Sequence, residues 1–248
     1  MTQAITTAMI LAAGLGSRMR PITNTLPKPL VRVGGKALMD WTLDEFAKSG
    51  VTKAVVNVHH LAPLICAHVS ARKTPSIVIS DETDLLLETG GGIVKALPVI
   101  GTAPFLAANT DAFTVNGSMN AATRLQSAWT NAVDAVLLLH PIERTHGFDG
   151  PGDFSLDHAG RLVPRGTAPR APFVYAGTQL LRPEIFAGEK AEPFSMWRIW
   201  QRLMETGRIT GVVQDGDWFH VGTPEAIATT DAQLKRMGLA TDKLSSRA

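Results

Sequence analysis

The chain has 248 residues, 45% of them hydrophobic and 19% charged, which gives enough apolar side chain for a continuous core and too little charge for disorder. Lysine and arginine number 24 against 22 acidic residues, so there is no basic field to hold a nucleic-acid backbone, and an anionic ligand must be gripped locally. The single cysteine, Cys66, excludes an internal disulfide and a multi-cysteine zinc site, and suits a reducing compartment.

The first predicted element is a strand at Ala8–Ala12, apolar throughout and closely followed by glycines, the pattern of a strand covered on both faces. The apolar run Ala8–Ala13 does not read as a signal peptide, because no Lys or Arg precedes it and it is shorter than an h-region of about 7–15 residues. Nor does any stretch approach the roughly 18 apolar residues of a membrane span. The expectation is a cytoplasmic protein without membrane or nucleic-acid partners.

Leu38 to Ser49 is predicted as a helix, with Leu38, Trp41, Phe46 and Ala47 on one face, Asp40 as its cap and Gly50 as its stop. Then come a strand at Ala54–Val58, a helix near Leu64–Ala71, a strand at Ser76–Ile79, a helix after Gly92 and strands at Phe105–Ala108 and Val133–His140. This alternation predicts an α/β fold: a Rossmann-like three-layer α/β/α domain with a mainly parallel mixed sheet. From Pro141 to Phe173 the pattern loosens, with many Gly and Pro residues and short strand-like pieces such as Asp153–Leu156. Regularity returns with a strand at Phe173–Leu181, a helix near Met196–Thr206, a strand at Ile209–Gln214 and a helix from Pro224 to Met237. Trp197, Trp200 and Leu203 fall at helical spacing and are expected in the core, and Ser245–Ala248 are expected to fray. The whole reads as one domain over 1–248, with an excursion over 141–182 walling a substrate pocket.

The segment Leu11–Thr23, followed by Leu26-Pro27-Lys28-Pro29-Leu30, carries the chemistry. Gly14 and Gly16 stand where a buried strand opens into a loop, so the backbone can approach a phosphate chain and turn N–H groups toward it. Arg18 and Lys28 add fixed positive charge. A Walker A loop would need a Lys and a Ser or Thr directly after its glycines, and a dinucleotide fingerprint would need a third glycine where Met19 stands. An ordinary strand-to-loop turn accounts for Gly14 and Gly16 alone, but not for Arg18, Pro21, Thr23, Pro27 and Lys28 beside them.

Glu88-Thr89-Gly90-Gly91-Gly92 places three glycines in a row, an entropic cost that close approach of a ligand would explain. Glu88 belongs to that contact or is a charge at a helix start. Asp111, after Asn109 and Thr110, puts a carboxylate at the end of a central strand, where ligands of open parallel sheets gather. It is either a Mg²⁺ ligand or the cap of a turn. His59 and His60 lack a companion at a metal-binding spacing and are expected in loop or core.

The spacing G-x-G-x-R, Pro-x-Thr and Pro-Lys resembles the signature of the sugar nucleotidyltransferase family. The resemblance runs through Glu88–Gly92, Asn109-Thr110-Asp111 and Trp218-Phe219-His220-Val221-Gly222-Thr223. Within the family it is strongest toward the branch that uridylylates N-acetylmuramate 1-phosphate in bacterial peptidoglycan recycling. It implies an enzyme taking a nucleoside triphosphate and a sugar 1-phosphate, with Arg18, Lys28 and Asp111 catalytic. Ala13, Gly14, Gly16, Glu88, Gly91 and Asn109 would meet the nucleotide. Gly152-Asp153-Phe154 and Tyr175-Ala176-Gly177-Thr178 match acceptor-pocket segments, so Asp153 and Gly177 would meet the sugar, while Asp153 also fits a simple turn.

The chain departs from the family at three places. Thr110 stands where Gly or Ser is usual. No Glu-Lys-Pro motif supplies a lysine to the sugar phosphate, leaving Arg165 or Arg170 as substitutes. His220 stands where Asp often completes the metal site with Asp111. There it binds a softer metal such as Mn²⁺, donates to phosphate, or leaves the metal to Asp111, phosphates and water. Guanylyl transfer to mannose 1-phosphate, cytidylyl transfer to phosphocholine and an inactive nucleotide-sugar-binding module remain as alternatives.

Overall fold

The computed structural model describes residues 4–240; Ser245–Ala248 lie outside them. Strand β1 (Thr7–Leu11) leads through 3-10 turns at Ser17–Met19, Ile22–Asn24 and Lys28–Leu30 to a hairpin of β2 (Arg32–Val33) and β3 (Lys36–Ala37). Then α1 (Leu38–Lys48), β4 (Lys53–Val58), α2 (Ala62–Val69), β5 (Ser76–Asp81), α3 (Glu88–Ile100) and β6 (Phe105–Asn109) alternate. They are followed by β7 (Ala112–Val115), α4 (Ala121–Ser127), β8 (Ala135–Pro141), β9 (Thr145–His146), β10 (Phe154–Leu156), β11 (Leu162–Pro164) and β12 (Phe173–Leu181). Last come α5 (Trp197–Glu205), β13 (Ile209–Val213), β14 (Asp217–His220) and α6 (Pro224–Arg236).

Successive side chains of a strand point to opposite faces, and β1 is apolar from Ala8 onward because both of its faces are covered. Ala8 and Ile10 pack in one cluster with Met39, Leu43 and Phe46 of α1. Met9 packs in the other with Ile93 and Ala96 of α3 and Trp200 and Leu203 of α5. The sheet between these helical layers has nine strands in the order β11-β10-β12-β6-β1-β4-β5, with β8 against β12 and β13 against β8. It is parallel across β6, β1, β4 and β5 and again between β8 and β13. Between these blocks β12 runs antiparallel to both β6 and β8.

A bulge interrupts the β12 and β8 pairing between Tyr175 and Gln179, where Gly177 takes φ +85°. Trp218 Nε1 donates to the Ala176 carbonyl in that bulge at 2.9 Å. Strands β7, β14 and β9 form a second small sheet. A third apolar cluster there joins Met19 of the loop after β1 to Val33 of the hairpin, Phe113, Phe219 and Leu234 of α6.

Three sequence expectations need correction, and two elements were not foreseen. Ala37, not Asp40, occupies the cap position of α1; Asp40 lies in its first turn and pairs with Arg72 and His68. Helix α3 begins at Glu88, so the three glycines form its first turn instead of preceding it. Trp197 is 38% exposed, whereas Trp200 and Leu203 of the same helix are buried. Strand β7 and helix α4 were not expected; α4 has only seven residues, and Asn120 caps it by accepting from Thr123 N–H at 2.8 Å.

Candidate active site

Leu11 is in register with Asn57 on one side and Asn109 on the other, so the carboxyl ends of three adjacent strands line up. Beyond them lies a cavity of about 460 Å³. The loop after β1, the start of α3 at Glu88 and Thr89, and Asn109–Asp111 at the end of β6 all border it. This is the edge of a parallel sheet at which ligands collect.

The loop after β1 is held by its own signature residues. Gly16 takes φ +62°, and a Cβ there would lie 2.9 Å from Thr23 Cγ2 and 3.1 Å from Lys28 Cβ. Thr23 Oγ1 donates to the Gly16 carbonyl at 2.9 Å, and His60 Nε2 donates to the Thr23 carbonyl at 2.7 Å. Met19, fully buried, pins the other side of the turn. Gly14 differs, because a Cβ there would meet nothing within 4 Å. Its bare backbone borders the cavity, as do Ala13 and Arg18.

At the end of β6, Lys28 Nζ lies 2.8 Å from Asp111 Oδ2, and His220 Nε2 lies 3.8 Å from the same oxygen. Burial alone would raise the Asp111 carboxyl, but His220 and Lys28 together outweigh it and hold the acid well below the usual carboxylate range. His220 is held firmly. Its Nδ1 donates to the Gly147 carbonyl at 3.2 Å, and its ring stacks on Trp218 at 5.9 Å and meets the edge of Phe148. A backbone carbonyl on Nδ1 leaves Nε2 as the nitrogen facing Asp111, the orientation in which a histidine ligates a metal. Among the described residues no group of three or more His, Cys, Asp and Glu side chains is arranged around a metal position.

The remaining candidates separate. Glu88 borders the cavity, with a left-handed φ of +57°, and so does Asn109. Gly91 does not, and the ligand contact expected for the three glycines is replaced by protein contact. A Cβ on Gly90 would strike the Phe194 ring, one on Gly91 the Glu192 carbonyl, and one on Gly92 would sit 2.7 Å from Glu82 Oε1. Asp153 Oδ2 accepts from Tyr175 N–H at 2.8 Å, so this carboxylate holds the β12 bulge. Burial pushes its carboxyl up. Gly177 in that bulge lies against Asn109, its Cβ position 3.5 Å from that of the asparagine. Arg165 is occupied by the carbonyls of Gly152 and Ala168, at 3.1 and 2.8 Å. The Tyr175 hydroxyl is buried without a hydrogen-bond partner, and burial together with the Asp111 charge raises it further above its ordinary value.

Asn57, Thr89 and Ser195 also border the cavity and were not anticipated. Asn57 had a signal, since it is the one polar residue in the run Ala54–Val58. Ser195 had none, because it reaches the site through a strap in which Gly90 N–H donates to the Phe194 carbonyl at 2.8 Å and Met196 N–H to Thr89 Oγ1 at 2.9 Å.

The family model of nucleotidyl transferases matches residues 7–149, which holds the Gly16, Arg18, Lys28 and Asp111 constellation. The chain belongs to that family. It is 43% identical over 239 residues to N-acetylmuramate alpha-1-phosphate uridylyltransferase of Caulobacter vibrioides, covering 94% of this chain and 99% of the relative. It is 36% identical over 220 residues to the protein of the same name from Neisseria meningitidis serogroup B, covering 87% and 93%. The nucleotidyl transferase fold is shared with the inositol-1-phosphate CTP transferase from T. maritima, with a TM-score of 0.77, 15% identity and coverage of 99% and 100%.

Proposed function

We propose that this chain couples a nucleoside triphosphate, UTP first among them, to a sugar 1-phosphate, N-acetylmuramate 1-phosphate being the expected acceptor, with release of pyrophosphate. The observation that carries the reading is the meeting of Lys28, Asp111 and His220 at the end of β6, beside the open backbone of Gly14. The extent of similarity to the two uridylyltransferases supports the choice of nucleotide and sugar.

In the reaction, a phosphate oxygen of the sugar 1-phosphate attacks the α-phosphorus, and the bond from that phosphorus to the pyrophosphate oxygen breaks in line. The protein contributes position and charge. Arg18 and Lys28 offset the charge of the triphosphate. Ala13, Gly14 and Gly16 present backbone N–H groups, and Glu88, Asn109 and, less directly, Gly91 shape the nucleotide's surroundings. Asp111 and His220 would hold a divalent cation. Such an ion, Mg²⁺ or Mn²⁺, supplies neutralisation of the phosphate oxygens when bound. The nitrogen donor favours Mn²⁺ more than a carboxylate at the same place would.

On the acceptor side, the excursion over 141–182 brings the bulge of Gly177, which Asp153 braces, next to Asn109. One nucleotidyltransferase domain over 1–248 serves both substrates in this reading. Among the described residues no helix is long and apolar enough to cross a membrane, and with a lone cysteine we place the enzyme in the cytoplasm.

Pyrophosphate release measured across four nucleotides and a panel of sugar phosphates tests the proposal. Turnover of UTP with N-acetylmuramate 1-phosphate is expected. A preference for GTP with mannose 1-phosphate would replace the uridylyl assignment, and tight nucleotide binding with no turnover would make the chain a binding module. His220→Asp is expected to shift the metal preference toward Mg²⁺, and an unchanged Mg²⁺ and Mn²⁺ profile in both His220→Asp and His220→Ala removes the ring from the metal site.

A further inference from the structure

We infer that Glu82, which does not border the cavity, is a positioning residue for nucleotide binding that acts through Asn57; the inference rests on reading the cavity as the nucleotide site. Glu82 is 0% exposed, and Asn57 is 2% exposed although it borders the cavity. A fully buried carboxylate is costly unless its oxygens are satisfied, and here both are taken by neutral N–H donors. Glu82 Oε1 accepts from Asn57 Nδ2 at 2.7 Å, and Oε2 accepts from Leu87 N–H at 3.1 Å. The backbone of Glu82 is fixed too, its N–H donating to the Val58 carbonyl at 2.8 Å and its carbonyl accepting from His59 Nδ1 at 2.6 Å.

An acceptor-only carboxylate dictates which way the Asn57 amide faces. With Nδ2 committed to Glu82, Oδ1 is turned to Ala12 and accepts its N–H at 2.7 Å. Ala12 is the first residue past β1, immediately before the cavity-bordering Ala13 and Gly14. Leu87 immediately precedes Glu88 and Thr89, which border the cavity from α3. Glu82 and Asn57 together therefore tie the two segments between which the nucleotide would bind. The space around it is closed: a Cβ on Gly92 would lie 2.7 Å from Glu82 Oε1 and 2.9 Å from Asn57 Nδ2, so Gly92 leaves room for this bridge.

A neutral amide at 82 cannot accept from both donors, because one of its two polar ends is itself a donor. Glu82→Gln therefore sets N–H against N–H at Leu87, or at Asn57, where turning the Asn57 amide to relieve it takes the acceptor away from Ala12 N–H. Combining Glu82→Gln with Asn57→Asp exchanges the two groups. The carboxylate introduced at 57 accepts from Ala12 N–H and from the amide introduced at 82, whose oxygen accepts from Leu87 N–H. Every hydrogen bond of the bridge is restored.

The test uses the full chain, with KM for UTP and for the sugar 1-phosphate measured separately and UTP binding followed by calorimetry. Turnover by the unaltered chain tests the functional reading, and the ratio of each variant to it tests this inference; another preferred nucleotide simply replaces UTP as the probe. Glu82→Gln is expected to raise the nucleotide KM and Kd about tenfold and to leave the sugar-phosphate KM within about twofold, and the double variant to return the nucleotide values to within about threefold. A lowered melting temperature with unchanged nucleotide KM, an equal rise in both KM values, or a rise the double variant does not rescue would overturn it. If Glu82→Gln alone does not fold, the double variant decides: folding with restored nucleotide affinity supports the bridge, and weak binding or failure to fold overturns it.

Discussion

Two glycine-rich segments border the same cavity from different elements, and they use glycine for opposite reasons. At Gly14 a side chain would enter open space, so the missing Cβ leaves backbone free for whatever occupies the cavity. At Gly90, Gly91 and Gly92 a side chain would enter Phe194, the Glu192 carbonyl and the Glu82 carboxylate, so the missing Cβ lets protein close on protein. Gly16 stands between the two cases, with a left-handed backbone against Thr23 and Lys28. A run of glycines in a sequence reports close approach without naming what approaches.

The comparison can be broken by substitutions that divide ligand effects from folding effects. The largest change is expected for Lys28→Ala, which removes charge from the open side: kcat/KM should fall about 10³-fold in a pyrophosphate-release assay, and a fall of less than about tenfold would take Lys28 out of the phosphate site. Gly91→Ala belongs to the closed side. Its clash with the Glu192 backbone should cost about 1–3 kcal/mol in chemical denaturation, and a variant as stable as the parent would mean that the strap at 187–196 yields freely. Gly14→Ala should do the reverse, changing stability by less than about 0.5 kcal/mol while raising the nucleotide KM several-fold.

A pH-dependent effect serves as a reference away from both segments. Glu45 of α1 accepts from Ala121 N–H at the start of α4, and burial pushes its carboxyl up to about 7 against an ordinary 4.5, the Ala121 bond and Lys48 opposing it only in part. The folded chain thus holds this proton more tightly than the unfolded one. The contribution of this group to stability is full below about pH 4.5, declines as pH rises toward about 7, and is level above that. Denaturation midpoints of the parent and Glu45→Gln should converge at low pH and separate across this window, and parallel curves would refute the assignment.

Much of this was legible in the residues. The run Ala8–Leu11 of β1 is apolar throughout, which declared a strand with two covered faces, and Thr23 and Lys28 completed a motif because they pack on Gly16. Local patterns said less about which distant segment approaches. The glycines of α3 looked like a ligand loop because Phe194 and Glu192, which lie over them, are about a hundred residues away in the chain. Asp153 looked like a hydroxyl acceptor or a turn, and only the pairing of β10 with β12 shows that it braces Tyr175. The insertion of β12 between β6 and β8 was equally silent, since an apolar strand carries no mark of its direction.

The ion pair between Lys28 and Asp111 makes the resting centre self-neutralised. A triphosphate attracting the ammonium would uncover the carboxylate, and a cation settling on the carboxylate would liberate the ammonium. Each visitor would thereby prepare the place of the other, and thermodynamic reciprocity would make the mutual help equal in size. Nucleotide without cation, or cation without nucleotide, should accordingly associate far more weakly than the two together.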